Sequence, residues 1–209
     1  MAKRLTIALV AVLVAVAAWI GSARLAGRGF GFGNHDCKMT AGKAADGVLE
    51  GEARCEWPLR PEQLEPLLAA WGEQARYFSN VAESSVLEQG GDRMLVRQVY
   101  HASGISDREV IMECFTEAIP GGRRYRWRKA ADQSKSSGRN VEVAVHEGYW
   151  QIVEGPHGTV VEYHMRYLPG GNVPSFLVSM FLSSGMEGVL NDLRRAAETT
   201  HVAARESGV

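Results

Sequence analysis

The chain predicts an α+β fold, an antiparallel sheet layered on one long C-terminal helix. Six strand-like segments follow one another between Ser84 and Leu168 across short glycine-marked turns, whereas a parallel sheet would need helical crossovers between them. A proline-opened amphipathic segment precedes these strands, and a longer one follows Pro174.

Ahead of this body, Lys3 and Arg4 precede an uninterrupted apolar run from Leu5 to Ile20, with small residues at Gly21, Ser22 and Ala23. That order is the order of an export signal. The run falls short of the roughly 20 residues that cross a bilayer, yet extension to Ala26 gives a marginal span. Residues 1–26 therefore read as a signal peptide or a retained signal-anchor. Either way the body faces outward, periplasmic or held at the membrane. Residues 27–45, which include GRGFGFGN, read as a glycine-rich linker, and 46–205 as the folded domain. Of three cysteines, Cys37 and Cys55 flank a short polar stretch and are disulfide candidates in an oxidising compartment. Cys114 stands alone in an apolar strand, and three separate thiols are the alternative.

Within the body, Asp46 to Trp57 alternates like a strand. Pro61 opens a helix whose apolar positions Leu64, Leu67, Leu68, Trp71, Ala75 and Phe78 form one stripe. Strands are expected at 84–89, 93–102, 108–117, 124–130, 141–154 and 159–168, bounded by Gly90-Gly91, Ser103-Gly104, Pro120-Gly121-Gly122 and Gly155-Pro156-His157-Gly158. After Pro174, Leu177, Phe181, Met186, Val189, Leu190, Leu193 and Ala197 recur at helical spacing.

Side-chain parity assigns faces. Tyr125 and Trp127 point one way while Arg124, Arg126 and Arg128 point to water. On the strand after Asp107, the face of Arg108, Val110, Met112 and Cys114 is the expected interior, because burying Glu109, Glu113 and Glu117 together is costly. Trp150 shares a face with Ile152, and Tyr163 with Val161 and Met165. Parity alone makes these residues a packed core.

Several elements occur in a telling order: Asp107-Arg108 at a strand start, Trp150 in EGYWQIVE before a glycine turn, and Tyr163 in the next strand. Pro169-Gly170-Gly171 and Pro174 then lead into a helix that runs through Leu190, Leu193 and Arg194-Arg195. Together they resemble the START-like lipid-binding domains of the helix-grip superfamily, which also holds polyketide cyclases, in a bacterial exported form. The resemblance spans about Asp46 to Ala204. It implies a curved sheet wrapped on the closing helix around an internal hydrophobic cavity. It turns Val110, Met112, Cys114, Tyr125, Trp127, Trp150, Tyr163 and Met165 into cavity lining, joined from the helix by Phe176, Met180, Phe181, Met186 and Leu190. It also implies lids at Ile119 to Arg123 and Leu168 to Ser175. Lipid-transfer members place a charge where this chain has Cys114, so sterol-type recognition there is in doubt. Asp107 and Arg108 are expected to be structural, with Arg108 clamped to Asp107 or a neighbouring carboxylate.

Composition excludes other classes. With 209 residues, a net charge of -1 and a pI near 6.6, the chain offers one domain and no basic footprint for nucleic acid. It has no C-x-x-C pair, no G-x-S-x-G elbow and no phosphate-binding glycine loop, so neither metal nor cofactor is expected. His146 and His164 share strand parity with charged neighbours and read as exposed. The leading expectation is a monomeric carrier that binds and moves a lipid or other hydrophobic molecule, membrane-associated if its N-terminal run is retained. A cyclase or dehydratase using the same cavity is the alternative, and a filled-core envelope module is the third.

Overall fold

Strict alternation over Leu49–Trp57 buries Leu49, Gly51, Ala53, Cys55 and Trp57 on one face, and the same period repeats along the later strands. The computed structural model describes residues 37–101, 104–173 and 175–206, with the side chains of 175–183 and 200–206 excepted. The 1–26 segment lies outside the described residues.

The strands are β1 (Cys37–Lys43), β2 (Leu49–Trp57), β3 (Val81–Gly90), β4 (Arg93–Tyr100), β5 (Arg108–Ile119), β6 (Gly122–Lys129), β7 (Val141–Glu142), β8 (Val145–Gly155) and β9 (Gly158–Leu168). Two helices, α1 (Pro61–Ala69) and α2 (Ser175–Glu206), and a 3-10 turn at Trp71–Arg76 complete the body. The sheet order is β1-β2-β9-β8-β6-β5-β4-β3, antiparallel throughout, with the two-residue β7 added in parallel to β5. The curved sheet is open, its edges being β1 and β3, and its concave face packs on the C-terminal helix.

Four expectations need correction. Part of the expected linker is strand β1, whose Cys37 pairs in register with Cys55 and is joined to it by a disulfide. Its outward side chains leave almost no apolar periodicity to read. The first helix stops at Ala70, where ψ is 58°, and continues only as the 3-10 turn. That turn is tied to β3 by the Ser84 hydroxyl, which donates to the Trp71 carbonyl at 2.6 Å. The expected strand 141–154 is two strands, because Val141 and Val143 donate to the Asp107 and Glu109 carbonyls while Ala144 donates to Leu168 of β9. The expected lid at Ile119 to Arg123 is a tight hairpin: Ile119 pairs with Gly122, and Gly121 has φ 74°.

The carboxylate face of β5 also departs from expectation. Glu113 and Glu117 are met by arginines, but Glu109 is fully buried. The polar 132–140 stretch folds over it. Gln133 brackets the Ile111 backbone, accepting from its N–H at 2.9 Å and donating to its carbonyl at 2.9 Å. Glu109 accepts from the Ser137 amide at 2.7 Å and hydroxyl, from Arg97 Nε at 2.6 Å and from Asn140 at 3.2 Å. Burial pushes its pKa up, but the Ser137 bonds and then Arg97 outweigh it and hold the carboxyl at about 2.

Candidate functional site

The inner face of the sheet leaves a hollow beside α2. A cavity of about 150 Å³ is lined by Tyr100 and Arg108 from neighbouring strands, His146 from β8, Tyr163, Met165 and Tyr167 from β9, Asn80 before β3, and Val189 from α2. A smaller one of about 60 Å³ shares Asn80, Tyr100, His146, Tyr163, Met165 and Val189 with it, and reaches inward to Met112, Trp127 and Trp150.

Aromatic contacts fix the wall. Trp150 and Tyr163 are 4.2 Å apart by ring centroid, and Trp127 lies 6.0 Å from Tyr163. His146 sits among Tyr100 at 5.2 Å, Tyr167 at 5.6 Å and Trp127 at 5.9 Å. Gly148 makes room for this cluster, since a Cβ there would lie 2.7 Å from the Trp127 ring and 2.1 Å from the His164 carbonyl. The helix is locked opposite by Asp192, which accepts from the Ser79 amide and hydroxyl at 2.7 Å each.

Burial sets the electrostatics of the ionisable groups in the cavity wall. Burial lowers the His146 pKa to about 4, so its imidazole is neutral at physiological pH. Burial likewise pushes Tyr167 to about 12 and raises Tyr100 and Tyr163. No carboxylate among the described residues lines the larger cavity. Among the described residues no group of three His, Cys, Asp or Glu side chains stands close enough to hold a metal.

The sequence-assigned residues fall into three groups. Tyr163 and Met165 line both cavities, and Met112, Trp127 and Trp150 line the smaller. Val110, Cys114, Tyr125, Met186 and Leu190 are buried in the surrounding core, where burial raises the Cys114 thiol far above its ordinary range. The side chains of Phe176, Met180 and Phe181 lie outside the described residues.

Two assignments are overturned. His146, read as exposed, is buried and faces the cavity; it has the same strand parity as Trp150 and Ile152, and that parity was the available signal. Arg108 makes no clamp with Asp107. Asp107 pairs with His101 at 2.9 Å, while the buried Arg108 turns inward and donates one amino group to the Ser106 carbonyl. Tyr100 and Tyr167 were missed too, although Tyr167 continues the Tyr163 and Met165 alternation.

Similarity to known proteins follows this architecture. A STAR-related lipid transfer protein from Xanthomonas axonopodis is 19% identical, with 80% of this chain and 96% of that one covered at a TM-score of 0.71. Human StAR-related lipid transfer protein 5 is 14% identical, with 90% and 95% covered at 0.70. The di-domain ARO/CYC BexL of the BE-7585A biosynthetic pathway is 13% identical, with 72% of this chain and 50% of that one covered at 0.53. At these identities the likeness establishes the fold. No curated protein matches. The model of the polyketide cyclase / dehydrase and lipid transport family matches residues 50–198, about 150 residues of the chain, and the protein belongs to that family.

Proposed function

We propose that this protein binds a lipid or other hydrophobic small molecule between its sheet and closing helix, and carries it on the exported side of a membrane. The observation that carries this reading is the largely apolar cavity of about 150 Å³ at the sheet–helix junction, where Tyr100, Tyr163, Tyr167 and Met165 share the wall with aliphatic residues and a few polar ones. Burial of apolar ligand surface supplies the driving force, about 25 cal/mol per Å² before the costs of association. The export-signal order of residues 1–26 and the Cys37–Cys55 disulfide support an oxidising, outward compartment. If the apolar run is retained, it holds the carrier beside the bilayer that supplies its cargo.

A cyclase-type reaction in the same cavity draws support from His146, the one imidazole buried in the wall. Carriage is the better reading: with a pKa near 4 that imidazole is a weak base, and among the described residues no carboxylate lines the larger cavity to work with it. The test is to purify the full chain from its host envelope and extract it for lipid mass spectrometry. A recurring lipid near one equivalent supports carriage. Absence of any recurring lipid, with tryptophan fluorescence indifferent to a lipid panel, contradicts it.

A further inference from the structure

Five buried side-chain polar atoms have no hydrogen-bond partner among the described residues, and four belong to residues on the two cavities: Asn80 Oδ1, Arg108 Nε, His146 Nδ1 and Trp127 Nε1. Buried polar groups are normally satisfied, so such a concentration marks a place where a ligand completes the bonding. Arg108 is the most demanding of the four. It is only 4% exposed, and among the described residues its guanidinium has one hydrogen-bond partner, the neutral Ser106 carbonyl. The nearby carboxylates are engaged elsewhere: Asp107 with His101, and Glu109 on the opposite face of β5 with Ser137, Arg97 and Asn140. A desolvated cation without a counter-charge is costly, and an anion beside it would form short charge-assisted hydrogen bonds.

Charge lies at one end of the hollow, while the inner end carries the amides of Gln74 and Gln98, which are hydrogen-bonded to each other at 2.7 Å. Arg108 lines only the larger cavity, while the smaller continues inward past Met165 to Met112, Trp127 and Trp150. We infer that the ligand is an amphiphile with an anionic head, a carboxylate or a phosphate monoester, whose oxygen accepts from the Arg108 Nε–H while its tail runs towards Trp127 and Trp150. This rests on the carrier reading above and gives it a ligand class. It also accounts for an arginine that turns inward instead of pairing with its neighbouring aspartate.

The test is calorimetric titration of the purified full chain with octanoate, octyl phosphate and 1-octanol, which share a tail and differ in head. At least one anion should bind roughly tenfold or more tightly than the alcohol, the discrimination expected of hydrogen bonds to a charged group. Preference for octyl phosphate or for octanoate names the head; either supports the inference. R108Q should erase the preference, bringing the affinity for the favoured anion down to that for octanol measured on the same variant. Should R108Q fail to fold, the wild-type comparison decides alone. Equal binding of alcohol and both anions overturns the anionic head while leaving the carrier reading intact. Binding of none of the three overturns both.

Discussion

The two ends of the strand pair β8–β9 share one inner face and behave differently. At one end Ile152 and Val161, both fully buried, pack with Trp57, Leu64, Leu68 and Leu193 into a filled core. At the other end the same alternation sets His146 opposite Tyr167, with Arg108 nearby, around a cavity. Between them lies the Trp150–Tyr163 pair. At the first end the side chains close on one another, whereas at the second the rings of Tyr100, His146 and Tyr167 meet at 5.2 and 5.6 Å beside an open volume. One end therefore stabilises the fold and the other is kept for binding, with little sequence distance between them.

Truncation at the filled end should cost most. Leu68→Ala or Leu193→Ala removes a fully buried side chain from a region that cannot collapse, and should lower stability by about 2–5 kcal/mol in urea denaturation. Equal costs for Met165→Ala at the cavity would erase the contrast.

Acid should next separate the ends. The folded state holds His146 at about 4, below its unfolded value near 6.5, so the unfolded state binds more protons between those limits. Stability should fall as pH drops through that window, by roughly 3 kcal/mol once below it. His146→Phe should remove this step. Glu109 acts lower: held at about 2 against 4.5 unfolded, it stabilises fully above pH 4.5 and loses that contribution as pH falls towards 2. Glu109→Ala should remove the lower step and cost about 3 kcal/mol at neutral pH, the low end for a broken buried pair, since Arg97 keeps Glu83 as a second partner. Guanidinium melts at stepped pH values would read both.

At the cavity, Met165→Ala should cost only about 1 kcal/mol, because its neighbours already face a void. A larger loss in chemical denaturation would mean that this end is packed like the other.

How much of this was legible depended on whether one strand's pattern sufficed. The filled end was readable because period-two and helical spacing act within single segments: Leu64, Leu68 and Leu193 announce themselves. Strand β1 was not, since an edge strand with polar outward residues carries no alternation and exists through its pairing with β2. Glu109 is not legible because its partners are distant in sequence, Ser137 and Asn140 coming from a loop about 30 residues away, and Arg108 is not because it donates to the Ser106 carbonyl and not to the adjacent Asp107 carboxylate. His146 was readable by parity with Trp150, but residue type was allowed to outweigh position. Burial of a neutral imidazole among rings is inexpensive enough for position to prevail.

The most direct test uses methionine methyl NMR, because Met165 lines both cavities, Met112 the smaller, and Met39 is 41% exposed on the edge strand. Titration with submicellar octanoate should shift the Met165 methyl first, Met112 with it, and leave Met39 unmoved. Unchanged Met165 and Met112 resonances at saturating ligand, or a uniform drift of all three, would contradict an internal binding site.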